Sequence, residues 1–143
     1  MRDRAGSVIA LHTTYLRGDG SGKADVDPPR STLGGTCGGA VRLFPAGERL
    51  IIGEGIETSL AAAELLGAPA WAALNAGNLA GAITPPSDVR EVMIAVDNDA
   101  PGRRAASEAL KRLRALGFVV KVALPDAPGD DFNDVLKRRR GIK

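Results

Sequence analysis

Residues 50–66 read LIIGEGIETSLAAAELL, a short apolar run followed by a glutamate, a glycine and a series of strong helix formers. The run Leu50–Gly53 is typical of a strand that is buried on both faces. Ile56–Leu66 predicts a helix that ends at Gly67, because glycine readily adopts the left-handed conformation that closes a helix. A strand that passes directly into a helix is the repeating unit of a parallel sheet covered by helices.

The same alternation of strand and helix continues toward the end of the chain. The clearest helix, Arg103–Leu116, carries its apolar residues on one face and its basic residues on the other. Further strands are predicted at Ala70–Leu74, Glu91–Val96 and Phe118–Leu124, and short helices within Asn75–Ala82 and after Asp134. We therefore predict an α/β fold with about four parallel strands flanked by helices.

The first third of the chain has a different character. Ser7–Leu16 is rich in β-branched residues, Ala40–Phe44 is another short strand candidate, and Gly18–Arg30 predicts an exposed, turn-rich loop. We therefore expect a β-rich, glycine-rich lead-in at residues 1–49. It is followed by a domain at residues 50–143 that ends in a basic tail.

The composition excludes several classes of protein. The chain has 143 residues, 44% of them hydrophobic and 25% charged, which is typical of a globular domain rather than a disordered segment. No apolar run approaches the roughly 18 residues that a membrane span needs, so we expect no membrane partner and a cytoplasmic location. One cysteine and one histidine cannot form an internal disulfide or a structural zinc site.

Charge is concentrated in blocks along the chain. Residues 50–102 hold one basic residue against seven acidic ones, whereas residues 103–143 hold eleven basic residues against five acidic ones. An acidic centre with basic flanks suits a site that holds divalent cations and the phosphates around them. The alternative is that the charge blocks only solvate different faces of the molecule.

Acidic residues follow three of the predicted strands, at the edge where parallel sheets bind ligands. Glu54 follows the first strand, Asp97 and Asp99 follow the third, and Asp131 and Asp134 follow the fourth. Carboxylates that converge repel one another, which favours a bound cation, and hard oxygen ligands select Mg²⁺ or Mn²⁺. The alternative for each residue is a cap on the helix that follows it.

These segments resemble the Toprim domain, which bacterial-type DNA primases share with type IA and type II topoisomerases, nucleases and recombination-repair proteins. LIIGEGIETSLAAAELL is similar to its first motif, MIAVDNDAPGRRAASEAL to its second, and DDFNDVL to the third acidic segment of primase-type members. The preceding residues resemble the lead-in of phage- and plasmid-type primases. The resemblance implies a Rossmann-like Toprim fold. It also implies that Glu54 acts as general acid/base or metal ligand, that Asp97 and Asp99 hold Mg²⁺, and that Asp131 and Asp134 supply a second metal position.

The function implied by this resemblance is Mg²⁺-dependent or Mn²⁺-dependent nucleotidyl transfer in DNA replication. The partners would be a single-stranded DNA template and nucleoside triphosphates, and the catalytic residues would be Glu54, Asp97 and Asp99. Basic side chains on either side of the acidic block would contact nucleotide or template phosphates: Lys23, Arg30, Arg42, Arg103 and Arg104.

Two other functions are left open by the same residues. A Toprim nuclease would use these carboxylates to activate water, and a non-catalytic nucleic-acid-binding module would take its activity from partner domains. Primases of this group usually carry a zinc-binding module before the core and often a helicase after it. We therefore expect the chain to be a fragment of a larger primase or primase-helicase, with a stand-alone small Toprim protein as the alternative.

Overall fold

Strands and helices alternate along most of the chain, after a short N-terminal hairpin. The computed structural model describes residues 1–142. None of the helices in that range has the length and apolar character needed to cross a membrane. The elements are β1 (Ala10–Thr14), β2 (Arg30–Gly34), β3 (Val41–Arg42), β4 (Arg49–Gly53), α1 (Ile56–Leu66), β5 (Ala70–Ala72), α2 (Ala76–Gly81), β6 (Glu91–Ala95), α3 (Ala100–Ala115), β7 (Val119–Ala123) and α4 (Phe132–Arg140).

The central sheet has the strand order β3-β5-β4-β6-β7. Strands β5, β4, β6 and β7 run parallel, and the edge strand β3 pairs antiparallel with β5. The predicted α/β fold with four parallel strands is therefore confirmed. Strand β3 extends this sheet by one short antiparallel strand from the lead-in.

The register of the sheet brings the ends of its parallel strands to one level. Gly53, the last residue of β4, lies beside Ala72 of β5 and beside Ala95 of β6. Ala95 in turn lies beside Ala123 of β7. Residues that follow these strands therefore emerge at the same edge, which is the edge where open parallel sheets bind ligands.

Apolar side chains pack on both faces of the sheet. Leu50 and Ile52 of β4 pack with Leu113 of α3 on one face, and Ile51 packs with Phe132 of α4 on the other. Alternate residues of a strand point to opposite faces of the sheet, so a strand whose consecutive residues are all apolar is covered by helices on both sides. The three β4 residues are at most 1% exposed, as the LIIG run predicts.

Helix α3 begins at Ala100, three residues before the predicted start at Arg103. Asp99 is its N-cap, and one of its carboxylate oxygens accepts a hydrogen bond from the backbone N–H of Gly102 at 2.7 Å. Pro101 fits in the first turn, where a backbone N–H has no helical partner to lose. The capping alternative is therefore realised at Asp99.

The lead-in contains a separate two-stranded antiparallel sheet, β1–β2. Its cross-strand pairs include Leu11 with Leu33, His12 with Thr32 and Thr14 with Arg30. Strand β1 lies inside the predicted Ser7–Leu16 strand. Strand β2 was not predicted from the sequence, because all five of its residues are exposed and show no alternation of apolar and polar character.

Candidate functional site

A polar cleft of about 230 Å³ opens at the carboxyl edge of the parallel strands. Its lining includes Glu54 after β4, Asp97 after β6 and Asp131 immediately before α4. The lead-in contributes Lys23 and Arg30 to the same lining. Residues that are far apart in the sequence thus meet around one small, mixed-charge space.

Asp97 lies at the electrostatic centre of this cleft. Burial and the charges of Asp131, Glu54 and Asp99 together raise its pKa to about 6, although the nearby Thr58 hydroxyl acts in the opposite direction. Within residues 1–142, its buried oxygen Oδ1 has no hydrogen-bond partner. A buried carboxylate oxygen without a donor is stabilised by a proton or by a cation.

Glu54 occupies the cleft without serving as a helix cap. The N-cap of α1 is Gly55, and no side chain caps that helix. Burial raises the pKa of Glu54, the charge of Asp99 adds to the effect, and a backbone hydrogen bond from Ala76 opposes it. A half-buried carboxylate with a raised pKa is suited to accept and release a proton.

Asp131 and Asp134 form a capping box at the start of α4. Asp131 Oδ1 accepts from the Asp134 backbone N–H at 2.9 Å, and Asp134 Oδ2 accepts from the Asp131 backbone N–H at 3.2 Å. The other oxygen of Asp131 accepts from the buried hydroxyl of Thr58 at 3.2 Å. The helix therefore begins at Phe132, earlier than predicted, and Asp131 faces the cleft while it caps α4.

Two glycines allow the close packing behind these carboxylates. A Cβ atom on Gly102 would lie 2.5 Å from the backbone oxygen of Asp97 and 3.0 Å from Oδ1 of Asp99. A Cβ on Gly53 would lie 2.5 Å from the hydroxyl oxygen of Ser59. The approach to backbone leaves no room for a side chain at Gly102, so the spacing Asp-x-Asp-x-x-Gly reflects the tight turn from β6 into α3. A side chain at Gly53 would displace the Ser59 hydroxyl.

The carboxylates of the cleft suit a hard divalent cation that takes only one or two of its ligands from the protein. Within residues 1–142, no three Asp, Glu, His or Cys side chains lie close enough together to hold one ion. Mg²⁺ commonly takes one or two carboxylates and completes its coordination with waters and substrate phosphates. The unpartnered oxygen of Asp97 is the natural first ligand, and Asp131 and Glu54 are further candidates because they line the same cleft.

Asn98, which the sequence analysis did not single out, connects two parts of the site. Its side-chain Nδ2 donates to the carbonyls of Pro125 at 2.8 Å and Ala127 at 3.0 Å, and its Oδ1 accepts from Arg103 at 2.7 Å. Its backbone N–H also donates to the carbonyl of Asp130 at 2.8 Å. Asn98 thereby fixes the loop before α4 to the end of β6.

Replacing Asn98 with alanine is expected to lower the free energy of unfolding by about 1–3 kcal/mol, because it removes the donor to the buried carbonyl of Pro125 and to the carbonyl of Ala127. Urea denaturation at neutral pH measures this loss. Asn133→Ala, on the half-buried first turn of α4, serves as the matched control and should cost under about 1 kcal/mol. Equal losses in the two variants would contradict the anchoring role of Asn98.

The raised pKa of Asp97 predicts a specific pH dependence in metal-free protein. Between the unfolded pKa of about 3.9 and the folded pKa of about 6, the folded state binds more protons than the unfolded state. The free energy of unfolding therefore falls as pH rises through this window, because Asp97 must ionise in a setting that disfavours its charge. Above the window, the destabilisation by ionised Asp97 is complete. Asp97→Asn should remove about 1–2 kcal/mol of penalty at pH 7.5 after allowance for solvent screening.

Urea denaturation in EDTA at pH 4.5 and pH 7.5 tests this prediction. The free energy of unfolding is compared between the two pH values for each protein. On going to the higher pH, it should change less favourably in the wild-type protein than in Asp97→Asn. Asp99→Asn is the control because asparagine also caps helices well, and because the charge of Asp99 is the smallest of the causes that raise the pKa of Asp97. It should therefore keep most of the wild-type pH dependence. Parallel pH profiles for wild type and Asp97→Asn would contradict the raised pKa.

The other predicted phosphate-binding residues lie away from the lining of the cleft. Arg42 lies on β3, where its guanidinium stacks over Trp71 at 4.6 Å and donates to the backbone oxygen of Asp3 at 2.5 Å. Arg103 and Arg104 are exposed on the first turn of α3. The structure thus places Lys23 and Arg30 at the cleft, Arg103 and Arg104 on the exposed surface of α3, and Arg42 in the packing of the lead-in.

The chain belongs to the Toprim domain family, whose family model matches residues 49–141. Residues 1–43 match the domain of unknown function DUF7146. No curated protein matches the chain. The resemblance drawn from the three acidic motifs is therefore confirmed.

Solved primase structures share the fold of nearly the whole chain. The primase fragment of the bacteriophage T7 primase-helicase protein is 21% identical, with a TM-score of 0.67 over 98% of this chain and 55% of that one. A DNA primase domain from Pseudomonas aeruginosa is 18% identical, with a TM-score of 0.64 over 96% and 45%. The RNA polymerase domain of Mycobacterium tuberculosis DnaG is 22% identical, with a TM-score of 0.60 over 98% and 50%. This chain thus spans about half the length of these structures.

Proposed function

We propose that this chain is the nucleotidyl-transfer core of a DNA primase, which joins ribonucleotides on a single-stranded DNA template in the presence of Mg²⁺ or Mn²⁺. One observation carries the proposal: the cleft at the carboxyl edge sets Glu54, Asp97 and Asp131 opposite Lys23 and Arg30. Carboxylates suit a divalent cation and basic side chains suit phosphates, so the mixed lining fits a nucleoside triphosphate with its cation. Fold similarity to primases supports the same class.

In the proposed reaction, the 3′-hydroxyl oxygen of the primer forms a bond to the α-phosphorus of the incoming nucleotide. The bond from that phosphorus to the bridging oxygen breaks, and pyrophosphate leaves. Glu54 accepts the proton of the hydroxyl, a role that its raised pKa favours. Lys23 and Arg30 bind the phosphates, and Asp97 and Asp131 would hold the cation. A bound Mg²⁺ neutralises charge on the triphosphate.

The remaining predicted residues take supporting roles in this proposal. Asp99 caps α3 and adds negative charge near Glu54 and Asp97, while Asp134 holds Asp131 in its capping box. Arg103 and Arg104, which are exposed on α3, would contact phosphates of the template strand.

We further propose that the chain works within a longer primase. The lead-in at residues 1–49 and the Toprim domain at residues 50–143 would together form one catalytic unit, since the lead-in supplies basic residues to the cleft. Among the structural relatives, one fragment comes from a primase-helicase protein and another contains zinc-binding and RNA polymerase domains. A zinc-binding module and a helicase are therefore the proposed partner domains.

Primer synthesis by the 143-residue chain tests the proposal. The chain is incubated with single-stranded DNA, labelled ribonucleoside triphosphates and Mn²⁺ or Mg²⁺, and short products are resolved on a gel. Template-dependent oligoribonucleotides that disappear in Glu54→Gln, and persist in Glu64→Gln on the same helix, support it. Cleavage of the template without incorporation would indicate a nuclease instead. Metal-independent DNA binding with neither activity would indicate a non-catalytic module.

A further inference from the structure

A cluster of three charged side chains joins the lead-in to the first turn of α1. The Arg30 guanidinium donates to Oε1 of Glu57 at 2.8 Å, and Lys23 Nζ lies 3.8 Å from the same oxygen. We call this cluster the Glu57 clip. One carboxylate oxygen is thus shared by the two cations that line the cleft.

The clip determines where these two cations lie. Within residues 1–142, the hydrogen bond between Arg30 and Glu57 is the one that ties the segment 10–34 to the domain that follows residue 49. Glu57 itself lines the cleft, in the first turn of α1 and shortly after Glu54. This pair therefore sets where Arg30 lies while no other anion competes for it.

The charge on Glu57 is well supported. Burial acts to raise the pKa of Glu57, but its own backbone hydrogen bond and the charges of Arg30 and Lys23 outweigh burial and hold the pKa below its ordinary value. All three side chains are 41–45% exposed, so the pairs exchange partners at low cost. A phosphate group offers more charge and more acceptor oxygens to an arginine than one carboxylate oxygen does.

We propose that Glu57 is a positioning residue that holds Arg30 and Lys23 at the cleft as their counter-anion, and that the phosphates of the incoming nucleoside triphosphate displace it. This inference rests on the proposed function, because it assigns a triphosphate to the same cleft. It adds an exchange of partners: Arg30 turns from Glu57 to phosphate when substrate enters. Glu57 then lowers affinity for the triphosphate while it keeps the empty cleft organised.

Isothermal titration with inorganic triphosphate in the presence of Mg²⁺ tests the exchange without any catalytic step. Glu57→Gln removes the competing anion and should tighten binding about three- to tenfold, the range expected for two exposed ion pairs. The same substitution in an Arg30→Gln background should change affinity less than about twofold, because the main exchanged cation is gone. Glu64→Gln is the matched control, since Glu64 lies on the same helix and pairs with Arg140 at 2.6 Å. It should leave affinity unchanged.

Three results would overturn the inference. If Glu57→Gln increased affinity for triphosphate equally with and without Arg30, the cause would be the removal of a negative charge near the cleft rather than an exchange of partners. Weaker binding by Glu57→Gln would show that the clip assists phosphate instead of competing with it. A wild-type chain that binds no triphosphate would also refute it. By contrast, a chain that shows the expected binding pattern but makes no primers would refute the proposed function and leave the Glu57 clip standing.

Discussion

Asp97→Asn is expected to weaken Mn²⁺ binding by about 100-fold or more, which corresponds to about 3 kcal/mol of binding free energy. This loss is smaller than the Coulomb attraction between a carboxylate and a divalent cation in contact. The reason is specific to this residue, because its Oδ1 is buried and has no hydrogen-bond partner within residues 1–142. Asp99→Asn should have a much smaller effect. One oxygen of Asp99 already accepts from Gly102, and asparagine preserves that cap.

Calorimetric titration of Mn²⁺ into wild type, Asp97→Asn and Asp99→Asn provides the measurement. The two variants remove the same charge two residues apart, so they differ chiefly in whether the lost oxygen faces the cleft or the helix. Comparable affinities for Asp97→Asn and wild type would contradict the assignment of Asp97 as the main ligand. Comparable losses in the two variants would indicate a field effect of the acidic edge instead.

Glu54→Gln is expected to lower primer synthesis by about 100- to 10,000-fold, the range associated with loss of a general acid or base. Glutamine keeps the size of the side chain and an acceptor oxygen but cannot take up the proton of the attacking hydroxyl. Metal affinity should fall by less than about tenfold, because Asp97 and Asp131 keep their charges. Single-turnover primer extension and Mn²⁺ titration of the same preparation give the two quantities.

A parallel loss of metal affinity and synthesis in Glu54→Gln would contradict the proton-transfer role and make Glu54 a metal ligand. Glu64→Gln controls for the change of charge on the segment after β4, and it should retain both properties. Glu64 lies near the end of α1 and pairs with Arg140 of α4.

The parallel sheet and its acidic edge could be predicted because local sequence rules and tertiary packing agree there. The LIIG run is buried on both faces, and the limits of α1 are the predicted Ile56–Leu66, with Gly67 in the left-handed conformation after it. Strand ends fix where the next residue emerges. The positions of Glu54 and Asp97 at one edge therefore follow from strand boundaries alone.

The sequence could not show which acidic residues cap helices and which face the cleft. A short carboxylate between a strand and a helix suits an N-cap as well as a metal site, so Asp99, Asp131 and Asp134 were equally suited to both. The structure places Asp99 and Asp134 in caps, leaves one oxygen of Asp97 unpartnered, and lets Asp131 do both. Only the side-chain directions distinguish these cases.

The long-range partners of the basic residues could not be predicted from the sequence either. Lys23, Arg30 and Arg42 all lie in the lead-in, yet the first two pair with Glu57 and the third stacks on Trp71. Charge patterning shows that a segment is basic, but the fold of the loop decides which acidic residue it meets. The exposed strand β2 places Arg30, and no periodic pattern marked that strand.

Iron-dependent cleavage mapping gives the most direct test of the proposal that Asp97 and Asp131 hold a cation in the cleft that Glu54 also lines. Fe²⁺ takes the place of Mg²⁺, and ascorbate with peroxide generates hydroxyl radicals that cut the backbone near the bound ion. The proposal predicts cuts after β4, after β6 and just before α4, all suppressed by excess Mg²⁺ and all lost in Asp97→Asn. Cuts confined to one of these segments, or cuts that persist in Asp97→Asn, would contradict it.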